Sequence, residues 1–240
     1  MKAQLTCLGV VLGALVIGLA LAALADPTGP QLFGLPLLSA LVLLSFVVQW
    51  LVFLPSYFGQ TEHYYDLTGS ATYLLLVGVA LATADSPDAR ALLLAALVLI
   101  WALRLGSFLF RRVKRAGKDG RFDTIKTRWY RFLVAWTLQG LWVFVTLLAA
   151  LIAITTPTPQ ALGPWATLGL AIWVLGFGLE AVADAQKSRF AAEPDNRGRF
   201  IDSGLWAWSR HPNYFGEITL WVGVAVIAAP VFSGWQWLGL

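Results

Sequence analysis

Seven runs of apolar residues, each 18 to 23 long, divide the chain: 5–25, 32–54, 67–84, 91–110, 132–154, 165–183 and 214–231. A helix needs about 20 such residues to cross a bilayer core of roughly 30 Å, so each run is long enough to span. None alternates apolar and polar positions with period two, as the strands of an outer-membrane barrel would. The pattern predicts an all-α, polytopic transmembrane helical bundle of about seven spans. Turn-forming residues mark the connections: Asp26-Pro27-Thr28-Gly29-Pro30, Asp85-Ser86-Pro87 and Thr156-Pro157-Thr158-Pro159. No internal repeat or low-complexity segment interrupts the series.

The first run admits two readings. Lys2, the apolar stretch and Ala23-Leu24-Ala25 before Asp26 resemble a signal peptide with a small-residue cleavage site. The stretch exceeds the usual ~7–15 apolar residues of such a signal, which favours a retained span. Residues 1–30 therefore form a first segment, and 31–240 a helical domain carrying two polar segments, 111–131 and 184–213. Composition agrees with a membrane protein. The chain is 58% hydrophobic and 12% charged with mean hydropathy +0.71, against roughly 45–50% and about 25% in soluble domains. A soluble enzyme, a secreted disulfide scaffold and a disordered chain are thereby excluded. One cysteine, Cys7, allows no intrachain disulfide, and two histidines, His63 and His211, leave little for a metal centre. No metal is expected.

The net charge of +4 changes the picture only through its distribution. Nine of the 17 basic residues lie between 111 and 131 and five more between 187 and 210. Two spans separate these segments, so they share one side, and basic residues mark the cytoplasmic side. The loops at 26–31, 84–90 and 155–164 hold Arg90 against Asp26, Asp85 and Asp88 and face outward. The charge thus reports orientation in a membrane, with the basic side in the cytoplasm, and no nucleic-acid partner is expected.

Several polar residues call for chemistry beyond anchoring. The basic 111–131 segment can rest on anionic lipid or, with Arg115 and Arg121, pair with phosphate oxygens. Arg104 lies inside the fourth span, where it can snorkel or meet a ligand. Glu180 and Asp184 are four apart on one helical face with Lys187 three further on. They suit an interfacial salt-bridge ladder, or acceptors for ribose or amide groups. The run from Gly204 to Glu217, with Arg210, His211, Asn213 and Tyr214, opens the last span. Pro212 suits a first helical turn, whose free amides favour an anion. Asn213, Glu217 and Trp221 share one face. A further cluster, Glu62-His63-Tyr64-Tyr65-Asp66, opens the third span. Its carboxylates fit the dipole of a helix N-terminus, and a tyrosine–carboxylate pair can polarise a carbonyl.

Arg210-His211-Pro212-Asn213-Tyr214-Phe215-Gly216-Glu217, preceded by Gly204-Leu205-Trp206, resembles the signature of the steroid 5-alpha-reductase-like membrane superfamily, whose bacterial branch carries domain of unknown function 1295. Trp101-x-x-Arg104, the 117–122 loop, Gln139-Gly140 and Asp184-x-Gln186-Lys187 follow the same order, so the resemblance covers about residues 55–231. It implies a multi-span reductase that binds NADPH from the cytosol and reduces an activated C=C bond of a sterol-like or other conjugated lipid. It places Asn213, Glu217 and Trp221 at the nicotinamide, and Arg104, Asp184 and the basic loops at the ribose and phosphates. Tyr65-Asp66 falls where the family keeps the carboxylate that meets the substrate carbonyl, with Tyr64 and Glu62 next in line. The sequence departs from the pattern in carrying Trp101 where the family has a catalytic tyrosine, and in lacking a C-terminal basic and aromatic arm. The Arg-His-Pro-x-Tyr element also resembles S-adenosylmethionine-dependent membrane methyltransferases of the isoprenylcysteine carboxyl type, which add an acidic pair downstream. A transporter or lipid-binding scaffold, with no nucleotide affinity, is the third class.

Overall fold

The computed structural model describes residues 1–25, 30–84, 86–157 and 160–239. Parts of the three turn segments named above, Asp26–Gly29, Asp85 and Thr158-Pro159, lie outside the described residues. Seven helices are long and apolar enough to cross a membrane. They are α1 (Lys2–Ala25), α2 (Leu37–Phe58), α3 (Tyr65–Thr83), α4 (Ala89–Ala116), α5 (Trp129–Thr155), α6 (Pro164–Ala192) and α7 (Pro212–Ala228). The fold is an all-α polytopic bundle, as the apolar pattern predicts.

Local sequence sets the helix ends. Before α2, two-residue strands Gln31–Leu32 and Leu35–Pro36 pair antiparallel around Phe33 (φ 51°) and Gly34 (φ 79°). Two positive φ angles in a two-residue loop match the twist of a tight hairpin. This hairpin takes up the first residues of the second apolar run, so α2 starts five residues later than the run. The Asp88 carboxylate accepts the Ala91 N–H at 2.8 Å and caps α4. Gly117, at φ 77°, closes the same helix by donating its N–H to the Val113 carbonyl. Pro164 and Pro212 occupy first-turn positions of α6 and α7, where a missing N–H costs nothing.

Two helices outrun their apolar stretches by six residues or more. α4 continues from 110 to Ala116 and α6 from 183 to Ala192. Residues 111–115 and 184–192 are therefore helical rather than loop. Arg, Lys and Gln are good helix formers, so charge marks the edge of the bilayer and not the end of the helix.

The chain forms two compact units. The first comprises residues 1–160 with 231–240, the second residues 161–230. In the first, α5 touches each of the other four helices and is the most buried span, its residues Leu147–Ile154 all lying inside. Ser45 of α2 donates to the Gly140 carbonyl of α5 at 2.7 Å. This approach is open because a Cβ on Gly140 would stand 3.1–3.2 Å from Phe46, Gln49 and Ser45. The second unit is the α6–α7 pair. Gly169 and Gly176 of α6 face Gly223 and Gly216 of α7 backbone to backbone: a Cβ on Gly176 would fall 2.6 Å from the Gly216 carbonyl oxygen. Small residues repeated every seven positions let two membrane helices touch along their length. That contact fixes which residues of α6 stand beside the start of α7.

Candidate functional site

In the first unit, polar side chains gather where α3 begins and α4 ends. The chain leaves α2 through Gln60, whose φ of 48° turns it back toward α3. Glu62 on this connection is 3% exposed. Its carboxylate accepts the Asp119 backbone N–H at 2.8 Å and a hydrogen bond from Lys126 Nζ. Burial pushes its pKa up, but the Lys126 hydrogen bond, the Asp119 amide and the Lys126 charge together outweigh burial and leave it lowered. His63 Nε2 lies 2.7 Å from the Gly117 carbonyl oxygen, so that nitrogen carries the hydrogen and donates. Both residues thus grip the connection 117–128 that follows α4.

Asp66, in the first turn of α3, has its Oδ2 3.6 Å from both Arg112 and Arg121. Arg121 also forms a fork with Asp119, its Nε lying 3.0 and 2.9 Å from the two carboxylate oxygens. These hydrogen bonds hold the Asp119 carboxyl below its usual range. Two carboxylates and two half-exposed guanidiniums therefore make one neutral cluster. Lys118 pairs with Asp123 at 2.8 Å, which raises its pKa.

Tyr65 turns away from this cluster. Its hydroxyl donates to the Ala135 carbonyl of α5 at 2.9 Å, and its ring lies between Phe122 at 4.8 Å and Trp136 at 5.1 Å. Gln139 donates to the Tyr65 carbonyl at 3.1 Å and crosses α3 at Gly69, where a Cβ would sit 3.1 Å from its amide carbon. Tyr64 is 52% exposed at the N-cap position of α3. Arg115 is exposed on the last turn of α4, and Arg104 is half-buried further up the same helix. Of the first-unit residues singled out in sequence, Glu62, Asp66 and Arg121 are brought into one network. Arg112, Asp119 and Lys126 join it without having been singled out. A buried carboxylate in an apolar chain demands a cation, but no periodicity tells which of nine basic residues supplies it.

In the second unit, Glu180 and Asp184 are 2% and 6% exposed on the face of α6 that meets α7. Asn213 Nδ2 donates to Asp184 Oδ1 at 3.3 Å. The connection before α7 wraps onto α6: Trp206 Nε1 donates to the Ala183 carbonyl at 3.0 Å. Lys187 Nζ stands 4.8 Å over the Trp206 ring. Gln186 accepts the Leu205 N–H at 3.0 Å and lies against Gly204, which takes φ 60°. The His211 ring stacks on Tyr214 with centroids 5.3 Å apart. Arg210 and Tyr214 are exposed, and Glu217 and Trp221 follow Asn213 at four-residue spacing on α7, both half-buried. The end of α6 borders an open cavity of about 340 Å³, lined by Gln186, Arg189, Phe190, Glu193, Ile201 and Ser203. Buried carboxylates, a carboxamide and the first-turn amides of a helix can receive a ligand rich in hydroxyl, amide and anionic groups.

The spans and their polar clusters define a polytopic α-helical membrane protein with ionisable side chains packed among its helices. The chain belongs to the DUF1295 family, described as a protein family of unknown function, which matches residues 50–240. It is also similar to the uncharacterized protein C594.04c of Schizosaccharomyces pombe, 26% identical over 184 residues that cover 63% of this chain. The chain spans about half of that curated relative's length, 54%. No solved structure matches it.

Proposed function

We propose that the protein is an integral membrane oxidoreductase similar to the steroid 5-alpha-reductases, using NADPH to reduce an activated C=C bond of a sterol-like or other conjugated lipid. The observation that carries the reading is the second-unit arrangement of Glu180, Asp184 and Asn213 at the start of α7. Two carboxylates are buried on the face of α6 that meets α7, and ionisable side chains placed within membrane helices are commonly functional. The donor set fits the cofactor: carboxylates accept from ribose hydroxyls or a carboxamide NH₂, Asn213 both donates and accepts, and the first-turn amides of α7 favour an anion. When bound, NADPH supplies a hydride. Glu217 and Trp221, on the Asn213 face, extend the same binding surface. Lys187 and Arg210 of the same unit provide cations for the phosphates, with His211 and Tyr214 stacked beside Arg210.

Taken by itself, the first unit carries a cluster, Asp66 with the guanidiniums of Arg112 and Arg121, of the kind that reduction of a conjugated ketone would use. Negative charge grows on the carbonyl oxygen of a conjugated ketone as its β-carbon is reduced. Donors fixed in advance toward that oxygen stabilise it more than they stabilise the ground state, and losing one costs about 10²–10³ in rate. Asp66 holds the two guanidiniums in place.

Calorimetry in detergent with NADPH, NADH and S-adenosylmethionine tests the reading. NADPH should bind at least tenfold more tightly than NADH, because a 2′-phosphate adds charge for the basic residues to pair. Asp184→Asn and Glu217→Gln should each weaken NADPH without loss of folding. Saturable binding of S-adenosylmethionine with none of NADPH would overturn it in favour of a methyltransferase.

A further inference from the structure

We propose that residues 117–126 form a strap that opens over an aromatic box in the first unit, with Phe122 as its plug and Glu62 as its latch, and that the box takes a flat apolar ring bearing a hydrogen-bond acceptor. The inference does not depend on the reductase reading.

The plug is unusual for its segment. Among residues 117–128 only Phe122 is buried, at 5% exposure. It enters a space walled by Phe53 of α2, Tyr65 of α3, and Phe132 and Trp136 of α5. Its ring stands 4.8 Å from Tyr65 and 6.0 Å edge-on to Phe132, the offset contacts that aromatic rings prefer. The other polar and charged side chains of the strap stay at the surface or half-buried around it. A connection that drops one ring into a box made by three helices, with half-buried Ile125 against the same cluster and polar contacts elsewhere, can lift without unpacking those helices.

The latch is equally local. Glu62 takes the Asp119 N–H and the Lys126 ammonium, one near each end of the strap, and His63 takes the Gly117 carbonyl. Gly117 leaves α4 at φ 77°, a conformation in which glycine hinges at little cost. No covalent tie or secondary-structure ladder holds residues 117–126 to α2, α3 or α5 among the described residues. Releasing this one carboxylate removes two ties at once, and the His63 contact with Gly117 and the Arg121–Asp66 pair at 3.6 Å remain.

The present occupant gives the chemistry of the ligand. A phenyl ring fits, so a flat apolar ring fits. Trp136 is fully buried, and its indole Nε1 has no hydrogen-bond partner. A buried N–H left unsatisfied is costly; a ligand ring carrying a carbonyl or ether oxygen would satisfy it, as the Phe122 ring cannot. Such a ligand competes with Phe122 by differential contact with the open state.

The test uses the full chain in lipid nanodiscs, 1-indanone as probe, and two readouts: equilibrium binding, and hydrogen exchange over 117–126 against 137–150 of α5. 1-Indanone should bind saturably and raise exchange in the strap at least tenfold, with α5 unchanged. Glu62→Gln and the milder Lys126→Met should raise basal strap exchange and bind the probe at least fivefold more tightly. Apparent affinity rises with the fraction of open molecules. Binding that leaves strap exchange unchanged, equal affinity in parent and Lys126→Met, or no saturable binding in either overturns the proposal. Neither readout involves NADPH or turnover, so failure here is separate from failure of the reductase reading.

Discussion

Single residues in this protein divide between holding the fold and facing chemistry, and hydrogen-bond partners decide which. Tyr65 and Asp66 are neighbours in sequence and candidates together, yet the Tyr65 hydroxyl is committed to the Ala135 carbonyl while Asp66 meets two arginines. Tyr65→Phe removes one hydrogen bond and should cost about 1 kcal/mol of stability with little change in turnover. Asp66→Asn should lower turnover at least a hundredfold once a substrate is in hand, with NADPH affinity kept. The opposite ranking would move the catalytic role to Tyr65. Glu62 offers a test in pH. Its pKa is lowered on folding, so its contribution is fully present above the ordinary carboxylate value of about 4.3 and is lost as pH falls through the lower folded value. Glu62→Gln should remove about 1–3 kcal/mol at pH 7, the cost of leaving a hydrogen-bonded charge without its partner. It should also shrink the fall in melting temperature between pH 7 and pH 3.5. Some fall remains, because Asp119 titrates in the same direction.

Among the elements, the α6–α7 seam is the most demanding. A Cβ on Gly216 would stand 2.5 Å from the Glu180 backbone nitrogen. Backbone cannot yield as a side-chain tip can, so Gly216→Val and Gly176→Val should each cost about 3 kcal/mol or more and disrupt nucleotide binding with the pairing. Gly178 on α6 has open space where its Cβ would be. Gly178→Ala should be neutral or stabilise by up to about 1 kcal/mol in thermal melts of the same preparation. Equal damage at 176 and 178 would show that helix propensity, not contact, sets the cost. The existence and order of the spans were legible in sequence, since twenty apolar residues have few other uses in water or lipid. The facing of Asn213 and Asp184 was not, although both residues drew notice. Their meeting depends on glycines seven apart on two helices, and the apolar pattern treats those glycines as filler. The ends of α4 and α6 escaped for another reason: Arg, Lys and Gln leave the bilayer without leaving the helix. The pairing of Glu62 with Lys126, 64 residues away, carries no local periodicity at all.

At the scale of the whole molecule, the distribution of charge predicts an orientation that can be tested. Fourteen of 17 basic residues lie in 111–131 and 187–210, and with two apolar runs between these segments the sequence predicts that both face one side of a membrane. On the other side Arg90 is the sole basic residue among the described loop positions and helix starts, and it is 2% exposed, turned inward rather than toward headgroups. Asp88 beside it caps α4 and accepts the Gln160 N–H at 3.0 Å, a neutral structural use of its charge. Lysine and arginine bias sets orientation during insertion. The basic side, with Lys118 and the strap, is expected to face the cytoplasm. Cys7→Ser gives a cysteine-free background in which Lys118→Cys or Ser86→Cys is added, both at exposed positions. On intact right-side-out vesicles a membrane-impermeant maleimide should modify Ser86→Cys and spare Lys118→Cys until the vesicles are lysed. Labelling in the reverse order would place the basic clusters outside, away from the cytosolic pool of reduced nucleotide, and the NADPH reading would fall with the orientation.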